Sequence, residues 1–472
     1  MISERFGKVI ATLWPVIYNK WVLKKIDKFV DVYRINLSHA DLFKTREVIK
    51  VIRDINSKKV FMLDTKWPEI RTTNIEKKQV KKWEVIKVFS KPVNNEISFE
   101  YKFFKNIPEN IEIIFDDNIV VWKVLSNNSD YLEIKILQWW VIWFNKTINF
   151  KWYEIELDFL TEKDKEDIKF WVEENISLIA VSFIKTSEDI KRLKKYIKKT
   201  YDYEMKIIAK IETVSAVNDI DNIIKEADAI MIARWDLWAN IDIVDLPRIQ
   251  SDIIKKCNLA WKPVILATQV MSSMTTNPVP TRAEVDEIAY NIQNGVDVFM
   301  LSNETAVGNY PVETLETLNK TIIKYQENVS VKFSWEEIEN YVSKDYEITD
   351  YILYNAKKMA YKLWVKFIIT PTSTWFTPAR LSSLKSTIPI LAFTSSDLAY
   401  KYCSLMFTTY SYKLSPENME YSNFKRIVWE TLQKEFRGKI NSEDKILIVH
   451  SSIAANIPWM INGIEVIKFK DL

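Results

Sequence analysis

Short apolar, largely β-branched runs recur along the chain, separated by stretches with the 3.6-residue period of amphipathic helices. The runs are Lys8–Leu13, Phe29–Ile35, Lys59–Leu63, Leu178–Val181, Lys206–Ala209, Ala229–Ala233, Val264–Ala267 and Val298–Leu301. Near-continuous apolar character over so few residues predicts strands buried on both faces. Helical patterns lie between them at Asp41–Asn56, at Ser187–Lys199 with Ser187 as the expected cap, and at Thr281–Asn294, ended by Gly295. Eight βα units are the pattern of a (β/α)8 barrel, and periodicity alone also fits an open doubly wound sheet.

The strand ends favour the barrel. Successive runs lead into Asn36 and Ser38, Asp64 and Thr65, Lys210 and Glu212, Arg234 and Asp236, Thr268, and Ser302. Polar residues at successive strand C-termini converge on one face of a barrel, where barrel enzymes hold their chemistry. Taken singly, each is as well explained as a turn or cap, and Ser302 is read that way. From about Thr72 to Glu156 the helical period gives way to short alternating strands, Glu84–Phe89, Glu112–Phe115, Val120–Leu125 and Tyr131–Leu137. A further α/β pattern follows Ser343, with a helix at Tyr351–Leu363 and strands at Val365–Thr370, Pro389–Phe393, Lys445–Val449 and Glu465–Phe469. The expected organisation is an α/β chain with a (β/α)8 TIM barrel over 1–71 and 157–342, a small inserted β domain over 72–156 and a separate C-terminal α/β domain over 343–472.

Composition narrows the chemistry. With 66 Lys and Arg against 63 Asp and Glu the net charge is +3, which offers no electrostatic footprint for nucleic acid or an anionic membrane. The mixed charges of the first ten residues predict no signal peptide, and no apolar run approaches the roughly 18 residues of a membrane span. Two cysteines and two histidines leave no disulfide framework or zinc cluster, and make a Ser-His-Asp triad improbable. The expectation is a reduced cytoplasmic protein that works with carboxylates, Lys, Arg and hydroxyls.

Those residue types meet at the strand ends. Glu212 and Asp236 are hard oxygen ligands on adjacent strands, suited to magnesium. Lys210, two residues before Glu212, points to the same side of an extended chain. Arg34 and Arg71 add planar forks suited to phosphate. A divalent ion, a lysine and arginines around one point suit phosphoryl transfer, whose catalysis is mostly positioning and charge neutralisation. A structural ion-pair cluster at the barrel mouth is the competing reading.

The segments RINLSH (Arg34–His39), MLDTKWPEIRT (Met62–Thr72), IIAKIE (Ile207–Glu212), IMIARWDLWANI (Ile230–Ile241), ATQVMSSM (Ala267–Met274), NPVPTRAEVDEIA (Asn277–Ala289) and VFMLSNETAVGNYP (Val298–Pro311) closely resemble pyruvate kinase. The resemblance implies phosphoryl transfer from phosphoenolpyruvate to ADP, giving pyruvate and ATP, as the last step of glycolysis. It implies Glu212 and Asp236 as ligands of Mg2+ or Mn2+, Lys210 as the stabiliser of the transferring phosphoryl group and the enolate, and Thr268 near the carbon that becomes a methyl group. Arg34 and Arg71 match arginines on the phosphoryl and ADP side, and Trp235 with Asp236 matches the pair that meets the substrate carboxylate. Asn36, Ser38, Asp64 and Thr65 match a K+ site, with Asn36 and His39 towards the nucleotide; His39 reads equally as a helix cap. Glu69 matches the position that carries Glu in potassium-dependent members, so K+ is expected to be required. Asp116-Asp117 resembles a structural turn of the lid. Thr372, Ser373, Thr374 and Thr377 resemble a phosphate-binding loop for a sugar-phosphate or nucleotide effector, and an ordinary Ser/Thr-rich turn fits them nearly as well. The family is typically tetrameric, and the resemblance implies that the inserted unit is a small β-barrel lid and the C-terminal α/β unit a regulatory domain. A different phosphoenolpyruvate- or pyruvate-handling barrel enzyme and a non-catalytic paralogue are the other functional classes.

One feature of composition stands apart. Gly occurs 5 times and Trp 18 times, where average usage of about 7% would give roughly 33 glycines. Trp14, Trp67, Trp235 and Trp238 stand where the family motifs have Gly, as do Trp21, Trp83, Trp139, Trp140, Trp152, Trp171 and Trp261. Elsewhere Ala40, Asn118 or Asn303 replaces a family Gly, and Asn is the ordinary second choice for positive φ. The pattern suggests a gene that reads UGA as glycine, and an indole at Trp235 is expected to crowd the place beside Asp236.

Overall fold

The computed structural model describes residues 5–13, 18–37, 41–65, 70–73, 77–93, 96–99, 101, 104–115, 120–138, 140–143, 148–150, 160, 162–329, 331, 333–341, 346–419, 421–451 and 461–472. Ser38, His39, Ala40, Trp14, Trp67, Glu69, Asp116, Asp117, Asn118, Trp139 and Trp152 lie outside them.

The chain begins with β1 (Lys8–Leu13), β2 (Val32–Asn36) and β3 (Val60–Asp64), then runs through β4 (Lys77–Val80), β5 (Val85–Phe89), β6 (Glu112–Phe115), β7 (Val120–Asn127), β8 (Tyr131–Ile136), β9 (Trp140–Trp143) and β10 (Ile148–Phe150). It resumes with β11 (Leu178–Val181), β12 (Lys206–Ile211), β13 (Ala229–Ala233), β14 (Val264–Ala267) and β15 (Val298–Leu301). Strands β1–β3 and β11–β15 close into one parallel barrel in the order β1-β15-β14-β13-β12-β11-β3-β2, which decides between barrel and open sheet. Closure follows from burial: β1, β3, β11, β12 (Lys210 excepted), β13, β14 and β15 are buried throughout, so each needs a partner on both edges and cover on both faces.

The inserted segment forms a five-stranded antiparallel sheet, β10-β6-β7-β8-β5, beside an antiparallel β4–β9 pair. Trp122, Phe99, Phe104 and Phe150 fill its own core. The C-terminal unit has β16 (Val365–Pro371), β17 (Ile390–Thr394), β18 (Thr409–Lys413), β19 (Lys445–His450) and β20 (Gly463–Lys468), ordered β18-β17-β16-β19-β20, with only β20 antiparallel to its neighbour.

Three sequence expectations are corrected. Strand two does not begin at Phe29, because Asp27–Phe29 forms a 3-10 turn. The helix Ser187–Tyr201 is capped by Thr186 rather than Ser187: Asp189 accepts the Thr186 N–H at 3.0 Å, while the Ser187 N–H goes to Asp219. Four strands, β4, β9, β10 and β18, were not anticipated; β10 and β18 are sheet edges and β4–β9 is a two-stranded pair, so each has a hydrogen-bonded neighbour on one side only.

Two cores bracket the barrel wall. Outward residues such as Val9, Tyr33, Leu63 and Ile179 pack on the surrounding helices. Ile10, Val32, Met62, Ile208, Met231, Ile265 and Met300 join Tyr402, Cys403, Leu405 and Met406 of the C-terminal unit in a second cluster. That unit closes the N-terminal end of the barrel, where the Tyr402 hydroxyl donates to the Asp228 carbonyl and the Phe407 N–H to Asp297 Oδ1. The C-terminal strand ends are therefore left for chemistry. No helix among the described residues is long and apolar enough to cross a membrane.

Candidate active site at the strand C-termini

The residues singled out on β2, β3 and β12 meet at that open end. Parallel register places Asn36 beside Asp64 and Arg34 beside Met62. Arg34 donates through Nε to Asp64 Oδ2 at 2.7 Å and through Nη1 to Thr12 Oγ1 at 2.9 Å. Lys210 Nζ lies 2.8 Å from Glu212 Oε1 and 3.2 Å from Asp64 Oδ1, and donates to Ser182 Oγ at 2.6 Å. Asp64 and Glu212 are almost fully buried, and the cations lying against them compensate the cost of burying carboxylates. Burial pushes the Asp64 carboxyl up, but Lys210 and Arg34 together outweigh it and hold the group below the ordinary carboxylate value. Burial likewise pulls Lys210 down, and Asp64, Glu212 and Asp236 more than reverse it, so the ammonium stays protonated well above its ordinary range.

A second layer of contacts aims these groups, and the sequence reading passed over it. Ser182, directly after β11, donates to the Thr65 carbonyl at 3.0 Å, while its own N–H reaches Thr65 Oγ1 at 3.1 Å. Phe183 has a left-handed backbone, φ 53°, and its N–H donates to Glu212 Oε2 at 2.7 Å. Asn240 Nδ2 bridges the main-chain carbonyls of Glu212 at 2.9 Å and Asp236 at 3.0 Å, tying the two carboxylate-bearing segments together. Ser182 follows β11, whose last residue Val181 pairs with Ala209 just before Lys210, so its place after a strand was a signal available in the sequence; the Asn240 contact has no sequence signal.

Asp236 and Trp235 sit in the first turn of the helix Arg234–Asn240, which starts directly after β13. The Trp235 N–H donates to Thr268 Oγ1 at 3.0 Å. Its ring packs edge-on against Trp238, with centroids 5.4 Å apart, and the helix runs through it without a positive φ. The strain lies across from it: Thr268 and Gln269 have φ of 62° and 53°. Positive φ at a β-branched residue is an outlier of the kind that clusters at active sites. Buried Arg234 holds the Thr268 carbonyl there through Nε at 3.1 Å and pairs with Glu287. Ser302, read as a turn residue, caps the short helix Asn303–Ala306, and its buried hydroxyl has no hydrogen-bond partner among the described residues.

Arg71 stands at the entrance to the inserted unit, between Ile70, whose carbonyl accepts the Ile148 N–H, and buried Thr72. The loop of Thr372, Ser373, Thr374 and Thr377 is not part of this cluster. It follows β16, and Trp375 within it lies under Lys206, the first residue of β12, at the opposite end of the strand from Lys210. Thr372 Oγ1 is used on the Thr374 carbonyl and Thr374 Oγ1 on the Phe376 N–H, while Thr377 is buried.

No three His, Cys, Asp or Glu side chains among the described residues converge on a point that could hold a metal ion. Magnesium does not need them: it keeps several waters and is usually held by one or two carboxylates plus substrate oxygens. Glu212 and Asp236 fit that donor set, and both already act on the Lys210 ammonium, a cation lodged where a metal ion would be attracted. Asn36, Asp64 and Thr65 supply uncharged and charged oxygens suited to a monovalent ion.

Comparison with known proteins bears on this geometry. The family model for the pyruvate kinase barrel domain matches residues 4–315, and that for the pyruvate kinase alpha/beta domain matches residues 350–467. A pyruvate kinase of Debaryomyces hansenii is 32% identical over 94% of this chain and 92% of its own length. One from Borreliella burgdorferi is 31% identical over 100% of this chain and 98% of its own. The crystal structure of a pyruvate kinase from Cryptosporidium parvum superposes with a TM-score of 0.89 at 26% identity, covering 98% of this chain and 96% of that one. The barrel-domain and alpha/beta-domain models together span most of the chain, and the chain belongs to the pyruvate kinase family of phosphotransferases.

Proposed function

We propose that this chain performs the pyruvate kinase reaction, moving the phosphoryl group of phosphoenolpyruvate to ADP and releasing pyruvate and ATP, through the residues at its barrel mouth. The observation that carries the assignment is the buried array of Arg34, Asp64, Lys210 and Glu212, joined by contacts of 2.7 to 3.2 Å. Lys210 faces the moving phosphoryl oxygens and the enolate charge that follows. Arg34, with two of its five donors committed to Asp64 and Thr12, directs others to the same anion. Arg71, Asn36 and His39 take the nucleotide side. The Trp235–Asp236 segment meets the substrate carboxylate, and Thr268 lies by the carbon to be protonated. Glu212 and Asp236 would hold Mg2+ or Mn2+, which when bound would supply charge neutralisation and orientation of oxygens for phosphoryl transfer. Asn36, Ser38, Asp64 and Thr65 hold K+, required because Glu69 brings no cation of its own.

The working unit in this reading is a cytoplasmic homotetramer with domains at 1–71 with 157–342, 72–156 and 343–472. The Thr372–Thr377 loop takes a sugar-phosphate or nucleotide effector, and its effect is a shift in the phosphoenolpyruvate saturation curve. A coupled pyruvate assay with ADP and Mg2+, with and without K+, tests the assignment. Turnover that depends on both ions is expected; binding without product would make the chain a non-catalytic paralogue.

We further propose that the tryptophans at family glycine positions are glycine in the native host. The backbone supports it at two of them, Trp83 and Trp261, with φ of 71° and 56°, and a further tryptophan, Trp364, has φ of 57°. A bulky residue with φ > 0 is a genuine outlier, whereas Gly adopts it freely. Trp364 follows the helix Glu347–Lys362 and is 89% exposed, the place where a helix ordinarily ends on Gly. Intact-mass measurement on protein from the native host is expected to give a chain lighter by up to 18 Trp-to-Gly differences. A mass matching the printed sequence would refute it.

A further inference from the structure

The three hydrogens of the Lys210 ammonium face three protein acceptors: Ser182 Oγ at 2.6 Å, Glu212 Oε1 at 2.8 Å and Asp64 Oδ1 at 3.2 Å. A lysine so engaged has no donor for a phosphoryl oxygen until one contact is given up. Glu212 decides which. Its Oε2 is held by the Phe183 N–H at 2.7 Å, so Oε1, the oxygen under Lys210, is the one turned to the site. Ammonium and divalent ion are thereby directed to the same carboxylate oxygen, and two cations in contact repel. Ser182 is uncharged and does not compete, so its contact survives the exchange. Asp64 also survives it, being held from its other oxygen by Arg34.

We propose that Lys210 is the resident counter-cation of Glu212 in the metal-free protein, and that loading a divalent ion on Glu212 releases the ammonium, which turns about its Ser182 contact to meet the substrate. The proposal rests on the reading of Glu212 as a metal ligand. It adds an order of events: before metal loading Lys210 is tied down and unavailable, so the metal ion precedes a productively held phosphoenolpyruvate. Ser182 is on this view a positioning residue, the pivot that keeps Lys210 in place after Glu212 is taken from it.

The test uses Mn2+ as probe on the full-length protein without substrates, reading the free ion by electron paramagnetic resonance. Lys210→Met removes the competing charge and is expected to bind Mn2+ at unchanged stoichiometry at least about tenfold more tightly, a lower bound set by one ion pair at contact distance in water. Lys210→Arg restores the charge and is expected to return the affinity towards that of the parent. Equal or weaker binding in Lys210→Met overturns the counter-cation role. Loss of the metal reading has a different signature, because Glu212→Gln would then bind Mn2+ as the parent does. A second measurement needs no variant: amine-specific labelling of the parent, read by peptide mass spectrometry, is expected to modify Lys210 several-fold faster with Mn2+ than without. A labelling rate unmoved by Mn2+ overturns the proposal independently.

Discussion

Lys210 shows how a single side chain gains its chemistry from its neighbours. Alone, a buried ammonium loses its charge; here three carboxylates oppose that loss and keep it cationic. Replacing it by Met leaves shape and removes charge, so turnover is expected to fall by at least about a thousandfold, on the scale of preorganised charge stabilisation. The coupled assay measures it, with the melting temperature showing that the fold persists; near-normal turnover would remove Lys210 from the chemistry. The residue types at this site were legible in the chain because each follows a predicted strand. Ser182, Phe183 and Asn240 were not singled out, since a hydroxyl, a main-chain N–H and an amide carry no charge pattern. Their contacts to Lys210 and Glu212 reach across 28 or 29 residues of sequence.

At the scale of elements, local chemistry and long-range contacts share the same residues. The helix Arg282–Gln293 opens with a capping box: the Glu284 N–H donates to Thr281 Oγ1 and the Thr281 N–H to Glu284 Oε2. Glu284 also takes the Ser273 N–H at 2.8 Å, which fastens the loop after β14 to this helix. Thr281→Ala removes one half of the box. It is expected to cost about 0.5–2 kcal/mol, seen as a lower urea midpoint at unchanged slope and with kcat preserved. The helix was readable from its apolar period and the Gly295 that ends it, while the box itself is a finding of the structure. At Thr186 the sequence offers two caps, because Ser187 is an equally good one in isolation; the pairing of the Ser187 N–H with Asp219, between two later helices, settles the register.

Across the whole molecule, the N-terminal end of the barrel buries charge to join the C-terminal unit. Asp297 Oδ1 accepts from Lys385 Nζ and from the Phe407 N–H, and its Oδ2 from the Val264 N–H. Nearby, Lys8 is buried beneath Tyr410, 4.0 Å from Asp31. Burial pushes its ammonium down to about 8, against the pull of Asp31 and with the help of Arg5. A lysine with a folded value below its unfolded one of 10.5 penalises folding fully below pH 8, and the penalty fades as pH rises from 8 to 10.5. Lys8→Met is therefore expected to stabilise the protein by a few kcal/mol at pH 7, with Asp31 still paired to Arg5. Chemical denaturation at pH 7 and at pH 10 checks it: the advantage should shrink at the higher pH, and a gap that widens with pH would contradict the assignment.

The chain's own pattern determined the strands, because a run such as Ala229–Ala233 is apolar at every position and has nowhere to go but a doubly covered sheet. It determined the helices between them and, by position after the strands, that Asn36, Asp64, Lys210, Glu212, Asp236 and Thr268 would share one face if the sheet closed. Closure itself was a tertiary decision: β1 pairs with β15 across nearly 300 residues, and no local window distinguishes that pairing from an open edge. Tertiary structure also decided the edge strand β18, whose mostly half-buried residues do not force burial, and the join of Tyr402 and Met406 to the barrel interior. It decided how the charges pair as well. Attraction among Arg34, Asp64, Lys210 and Glu212 acts through space and at short range, so the partners of each became fixed only when three strands and the Ser182 turn were brought within 3.2 Å of one another.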